Sequence, residues 1–264
     1  MRIAAIYDIH GNTSALEAVL SDVSTEKVDA VVIGGDVVSG PFPRETLNLL
    51  QTISVPTYFI LGNAESDVIR LILGQPSNGM SQKADEVAGW VENQLTSDQK
   101  DFLLTWTDDL QLKLTPKCNA YFCHGTPRSN TEIFTLVTPE KRVTDIFRNT
   151  EASIYVCGHT HMQFERTVNN IHIVNAGSVG MPFGDTGADW LLINGNEFEF
   201  VHTEYNLLSA AESMRTSNYP DVEDFIQNNV LHSPTKDKMI EVLTKMEAQQ
   251  QEKSLTTRPE MDNK

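Results

Sequence analysis

Three apolar runs, Ile3 to Ile6, Val28 to Ile33 and Thr57 to Leu61, each stop at a short glycine-containing polar turn, and amphipathic stretches separate them. This rhythm of strand, helix, strand, helix, strand constrains the chain more than any other feature. Parallel neighbours cannot be joined by a tight hairpin, so the intervening stretches must cross over the sheet as helices. The first crossover reads as a helix opened by a capping box at Ser14-Ala15-Leu16-Glu17, with Leu16, Val19, Leu20 and Val23 on one face. The second, Glu45 to Gln51, has Pro43 near its first turn.

From about Ser66 to Leu114 the periodicity is helical, as at Val87, Trp90, Val91 and Leu95, and predicts two or three helices on one flank of the sheet. Further strands are expected at Ala120 to Cys123 and Ile154 to Cys157, with a helix from Thr138-Pro139 to Phe147 between them. Short strands then follow at His172 to Asn175, Asp189 to Ile193 and Glu197 to His202, the last two joined by the hairpin signal Asn194-Gly195. These short strands are expected to build a second sheet facing the first. A final helix is predicted over Tyr219 to Leu231. Residues 1–232 thus form one α/β domain. Residues 233–264 read as a polar tail, with one marginal helix around Met239, Ile240, Leu243 and Met246 and a disordered last dozen residues.

Composition narrows the function. A net charge of −16 over 264 residues repels a phosphate backbone, which argues against broad nucleic-acid binding. A small phosphorylated substrate at a locally cationic site remains compatible. No apolar run approaches the ~20 residues of a membrane span, and the N-terminus enters a strand at once, so the cytoplasm is the expected location. The three cysteines, Cys118, Cys123 and Cys157, are an odd number without zinc-knuckle spacing and read as buried strand residues.

The strand ends carry the chemistry. The first closes as Tyr7-Asp8-Ile9-His10-Gly11-Asn12, where Asp8 and His10, two apart, point to one side. Alone this stretch fits a capped βα turn as well as a ligand pair. Asp36 ends the second strand, Asn63 the third, His124 the next, and His159 and His161 the last. In an open α/β sheet, ligands gather outside the carboxyl ends of the strands. Seven N and O donors of mixed type suit two first-row divalent cations better than one.

The motifs Asp8-Ile9-His10-Gly11-Asn12, Gly35-Asp36, Gly62-Asn63, His124-Gly125 and Gly158-His159-Thr160-His161 together resemble the calcineurin-like metallophosphoesterase family, over about Met1 to Tyr205. The resemblance implies a four-layer α/β/β/α sandwich, two facing sheets flanked by helices. It implies that Asp8, His10 and His161 hold one metal, that Asn63, His124 and His159 hold a second, and that Asp36 bridges both. Asp36, Asn63 and His124 are carried over as catalytic positions. A water shared by the metals would then attack phosphorus in line with the leaving group. The metals are two divalent transition ions among Mn, Fe, Zn, Ni and Co, with manganese the working choice. The expected activity is a phosphodiesterase acting on a small phosphoester. The alternatives are a phosphomonoesterase or protein phosphatase, and a non-catalytic module of the kind a retromer subunit represents. Such a module would show missing ligands, and all seven positions are filled.

Two departures stand out. Many members carry His after the Gly-Asn motif, to contact the phosphate or protonate the leaving group, and here Ala64 does neither. Glu65 is a candidate replacement acid. Nor does Asp-Arg-Gly follow the bridging Asp, where Val37-Val38-Ser39-Gly40 stands, which weakens the protein-phosphatase reading. Asn12 is a candidate phosphate contact or else a helix N-cap. Arg128 is a candidate bidentate phosphate ligand or else a surface cation, and Arg166 likewise. His172 and His202 read as structural. The glycine-rich stretch Gly177 to Gly187 either lines the pocket or turns the chain between sheets.

Overall fold

The computed structural model describes residues 1–76, 81–148 and 151–256. Its elements run β1 (Arg2–Ile6), α1 (Thr13–Thr25), β2 (Ala30–Ile33), α2 (Pro43–Gln51), β3 (Thr57–Phe59), α3 (Asn63–Ile72), α4 (Gln82–Gln94) and α5 (Ser97–Leu103). The second half follows as β4 (Asp109–Thr115), β5 (Cys118–Cys123), α6 (Glu140–Ile146), β6 (Ile154–Cys157), β7 (Gln163–Val168), β8 (Ile171–Ala176), β9 (Ala188–Asn194) and β10 (Glu197–Thr203). It ends with α7 (Leu207–Met214), α8 (Val222–Phe225), a π-helical turn (Ile226–Val230) and α9 (Lys236–Thr256).

Two five-stranded mixed sheets face each other, ordered β10-β9-β1-β2-β3 and β4-β5-β6-β8-β7. The alternation of β1 and β2 explains the layering. Ile3, Ala5, Tyr7, Ala30 and Val32 point between the sheets, where they meet Phe122, Val156, Val174 and Leu191. Ala4, Ile6, Val31 and Ile33 point the other way, onto α1, α2 and the α3–α5 group through Leu16, Val19, Leu47, Val68 and Val91. The outer face of the second sheet is covered by Phe134, Val143, Ile146 and Phe147 around α6. Strands buried on both faces need continuous apolar runs, as β1, β2 and β6 have. The result is the expected α/β/β/α sandwich.

Several local expectations are corrected. The strands ending in His124 and His159 do not extend the first sheet; β5 and β6 pair with each other in the second. The β9–β10 hairpin, expected in the second sheet, pairs antiparallel with β1 and completes the first. Leu110 to Leu114, read as helical, is the edge strand β4, whose leucines alternate with Gln111 and Lys113. Strand β7 and helix α7 carried no separate expectation. Ser14 does not open α1: Asn12 does, its Oδ1 accepting from the Ala15 N–H at 3.1 Å.

The segment read as a marginal helix is packed. Leu243 on α9 is buried, and with Met239 and Ile240 it meets Ile133, Met162 and Phe183. Glu247, also buried, accepts from Thr138 Oγ1 (2.8 Å) and Arg142 Nε (2.7 Å). The last eight residues, part of the dozen expected to be disordered, lie outside the described residues.

Candidate metal centre

The carboxyl ends of β1, β2, β5 and β6, and the start of α3, meet in one place although they belong to two sheets. Two groups that could hold a metal ion result: Asp8, His10 and His161, and Asp36, His124 and His159, each with its donor atoms within 4.8 Å of one another. Asp36 lies between them, its Oδ2 3.8 Å from His10 Nε2 and 3.5 Å from His124 Nε2. Asp8 Oδ1 is 3.3 Å from His161 Nε2 and 3.9 Å from His124 Nε2. Asn63, the first residue of α3, completes the set of seven.

The backbone aims these side chains from behind. His10 Nδ1 donates to Ser39 O (3.1 Å), His124 Nδ1 to Gly34 O (2.9 Å) and His161 Nδ1 to Met181 O (3.0 Å). A carbonyl only accepts, so each ring carries its proton on Nδ1 and presents a lone pair at Nε2. Each carboxylate is tethered by one oxygen. The His159 N–H donates to Asp8 Oδ2 (2.9 Å), and the Ala64 N–H donates to Asp36 Oδ1 (2.8 Å). The other oxygen of each faces the cluster.

Asp8, His10, Asp36, His159 and His161 all have left-handed backbones, with φ between 49° and 65°. Non-glycine residues seldom adopt this conformation, and it collects at functional sites. The chain also comes close behind them. A Cβ on Gly62 would lie 2.2 Å from Asp36 Oδ1, and one on Gly158 would lie 2.5 Å from Asp8 Oδ2, so no side chain fits at either position.

The donor set fits divalent cations. Asp8 Oδ1, Asn63 Oδ1 and His124 Nε2 are buried without a hydrogen-bond partner, an arrangement that costs ~1–3 kcal/mol per atom unless something electropositive sits between them. His10 Nε2 and His161 Nε2 face each other at 3.2 Å, both as acceptors on the tautomers above. A cation in the first group would satisfy Asp8 Oδ1 and both facing Nε2 atoms, and one in the second would satisfy His124 Nε2 and Asn63 Oδ1. Without one, protons substitute in part. Burial depresses His124 and His161, but Asp36 and Asp8 outweigh it, pushing His124 up to about 10 and raising His161. Burial, then the His124 charge, pushes His159 down to about 4. Burial works against ionised Asp8 and Asp36 too, yet the neighbouring imidazoles hold both carboxyls below their ordinary range.

Other expected site residues are placed differently. Asn12 is fully buried, and beyond its cap bond its amide donates to Gly180 O (3.3 Å) and Tyr205 Oη (3.0 Å), so it braces the first turn and is not available to phosphate. Arg128 lies beside His124 but is paired bidentately with Glu132 (2.7 and 2.6 Å), which takes the guanidinium face a phosphate would need. Arg166 donates to Thr135 O and Thr138 O. Glu65 is fully buried. Its carboxylate accepts from the N–H groups of Asp36 (2.8 Å), Val37 (2.8 Å), Val38 (3.1 Å) and Gly62 (2.9 Å), tying the two loops that carry Asp36 and Asn63. Burial and the Asp36 charge push it up to about 7 against those donors. Its four accepted bonds make it a strut between the two loops.

The glycine-rich stretch also supports the ligands. Ser178 Oγ donates to Asp8 O (2.8 Å) and the Gly180 N–H to the same carbonyl (2.9 Å), while the Phe183 ring packs against His161 at 5.3 Å, tilted by 30°. The carbonyls of Gly34, Ser39 and Met181 leave no trace in residue type. Glu65 did leave one, three residues after the turn glycine Gly62, as in half a capping box. His172 and His202 are structural, paired with Glu165 and Asp189, each at 2.7 Å. Cys123 and Cys157 are buried, and burial raises both thiols, so they stay protonated.

Residues 1–205 match the calcineurin-like phosphoesterase superfamily domain. An uncharacterised protein of Methanocaldococcus jannaschii is 27% identical over 242 residues, covering 83% of this chain and 94% of that protein. The crystal structure of a metallophosphoesterase from Sphaerobacter thermophilus superposes with a TM-score of 0.67 at 25% identity, covering 86% of this chain and 97% of that one. A hypothetical protein from Pyrococcus horikoshii shares the fold with a TM-score of 0.74 at 17% identity, over 86% and 96% of the two chains.

Proposed function

We propose that this chain, which belongs to the calcineurin-like phosphoesterase superfamily, is a phosphodiesterase that works with two divalent cations. The observation that carries the reading is the set of buried, partnerless donor atoms on Asp8, Asn63 and His124, together with the facing Nε2 atoms of His10 and His161. Asp8, His10 and His161 would hold one cation and Asn63, His124 and His159 the other, with Asp36 between them. When bound, such cations bring the pKa of a water toward neutrality and polarise a phosphoryl oxygen. Mn, Fe, Zn, Ni and Co all suit imidazole, carboxylate and amide donors.

The protein's part is preorganisation. Three carbonyls fix the imidazole tautomers, two N–H groups orient the carboxylates, and Glu65 locks the Asp36 and Asn63 loops, so the donors converge before a ligand arrives. The surrounding charge supports a diester over a monoester. A phosphomonoester dianion gains more from side-chain cations than a diester does, but Arg128 is held by Glu132 and Lys83 by Asp221 (2.9 Å), while Asp67 adds a negative group nearby. A singly charged diester asks less of the site. The net charge of −16 supports a small substrate over a nucleic-acid duplex.

Metal analysis of the purified chain, followed by hydrolysis of bis(4-nitrophenyl) phosphate and of 4-nitrophenyl phosphate with each candidate cation, tests the reading. About two equivalents of metal with faster diester turnover is the expected result. Bound metal without turnover of either ester would overturn it.

A further inference from the structure

A cleft of about 350 Å³ opens directly from the ligand cluster, with His10, Asp36 and Asn63 at its mouth. A phosphoester whose phosphorus lies at the cluster has this space open to one of its substituents. Helix α3 begins at the mouth, and its second residue, Ala64, presents only a buried methyl there. The floor is apolar, made by Val68 from α3 and by Val87 and Val91 from α4. Tyr219 forms the side wall, its ring fixed edge-on against Trp90 (5.3 Å) and Phe225 (5.8 Å).

One group in this apolar setting is unexplained. Asp67 lies four residues after Asn63, one turn along the same helix face, half-buried on the cleft wall. Its carboxylate makes no hydrogen bond or ion pair with any described residue; the nearby Arg70 is paired with Asp85. Burial pushes its pKa up to about 6, with Asp36 and Asp85 adding to the shift against Arg70. The cation lining the cleft, Lys83, is engaged with Asp221 at the surface. A half-buried carboxylate with no partner among the described residues is completed by a hydrogen-bond donor, and a second anion beside it is repelled.

We infer that this cleft is the subsite for an alcohol portion of the substrate. It takes an alcohol with an apolar, ring-sized body and a donating hydroxyl or ammonium head, which Asp67 accepts, and it rejects alcohols that carry an anionic group. The inference rests on the phosphodiesterase reading for its meaning, but the binding it requires is measurable without turnover.

The test uses the full, metal-free chain labelled at valine and alanine methyls. It is titrated separately with 4-(aminomethyl)phenol and 4-hydroxybenzoate, which differ in the charge of the head. The expected result is shifts at Val68, Val87 and Val91 with the aminomethyl compound, and affinity at least about tenfold weaker for the carboxylate, or about 1.4 kcal/mol. Asp67→Asn should bring the two probes within about twofold, and Asp67→Lys should invert their order. Ala84→Phe, on the half-buried rim, should block both. Thermal unfolding verifies that each variant is folded.

Shifts confined to other methyls, or an unchanged preference in Asp67→Lys, would overturn the inference. The two readings fail separately. Binding as described with no phosphoester turned over removes the hydrolase and keeps the subsite. Turnover with the same KM in wild type and Ala84→Phe, on aryl diesters, removes the subsite and keeps the hydrolase.

Discussion

Replacing Glu65 with glutamine tests whether the centre depends on a strut that touches no ligand side chain. The change is nearly isosteric and removes one charge. The wild-type carboxylate accepts four N–H bonds of 2.8 to 3.1 Å, two on each oxygen, from Asp36, Val37, Val38 and Gly62. A glutamine amide keeps one accepting oxygen, so two donors must face an NH₂ that cannot accept. Each buried donor left unpaired costs ~1–3 kcal/mol, and losing a buried charge whose pKa is pushed up to about 7 offsets part of that, leaving about 2 kcal/mol for the pair. For a chain of this size that is a fall in Tm of roughly 6 °C. The loops released are those of Asp36 and Asn63, so metal affinity should fall as well. Scanning calorimetry of the metal-free protein and competition with a chromogenic chelator measure the two effects, with Glu17→Gln, at an exposed position, as the charge control. A Glu65→Gln protein with wild-type Tm and wild-type metal affinity would refute the reasoning, because the four contacts would then carry no load.

Four further outcomes follow from the geometry. Stripping the protein with a chelator should lower Tm, and restoring cation at about a hundred times its Kd should return about 2.7 kcal/mol of stability for each site filled, read by calorimetry. Ala64→His should speed alkyl phosphodiesters by about 10²-fold or more over aryl ones, which need little protonation; stopped-time assays giving equal effects on both would reject it. Asp67 is raised from 3.8 to about 6, so its protonated form suits the folded state. The group is therefore harmless below about pH 4 and destabilises as pH rises through about 6. In chelator-treated protein, Asp67→Asn should gain about 1 kcal/mol at pH 8, discounted for half exposure, and nothing at pH 4, by thermal unfolding. Leu243→Ala should cost about 3 kcal/mol in urea unfolding and weaken metal binding at His161, since α9 packs on Phe183 and Phe183 packs against that ring.

The frame of the fold was legible because its signals are local. Ile3 to Ile6, Ala30 to Ile33 and Ile154 to Cys157 are apolar on both faces, and only doubly covered strands need that pattern. The candidate ligand positions were legible because each lies where a strand stops. Which sheet each strand joins was not, since β5 and β6 look the same whether they extend the first sheet or found a second. The pairing of β9 with β1 joins residues almost two hundred positions apart, and no local pattern records it. Leu110, Leu112 and Leu114 did carry a period of two, which the helical stretch before them masked. Asn12 and Arg128 show the limit of residue type. An amide or a guanidinium near a ligand motif suits phosphate, but Ala15, Tyr205 and Glu132 had already claimed them.

The left-handed backbone at Asp8, His10, Asp36, His159 and His161 has a consequence for anyone engineering this protein. At ~1–3 kcal/mol for each residue, less the ~0.5–1 kcal/mol of extra backbone entropy that glycine loses on folding, the folded chain holds on the order of 5 kcal/mol that glycine at the same five positions would release. His159, whose imidazole joins no hydrogen bond among the described residues, is the cheapest place to begin. A directed-evolution screen scored on heat tolerance alone would therefore drift toward glycine at these turns. It would return hardier proteins with nothing left to hold a cation, so any such campaign needs retained metal as a second score.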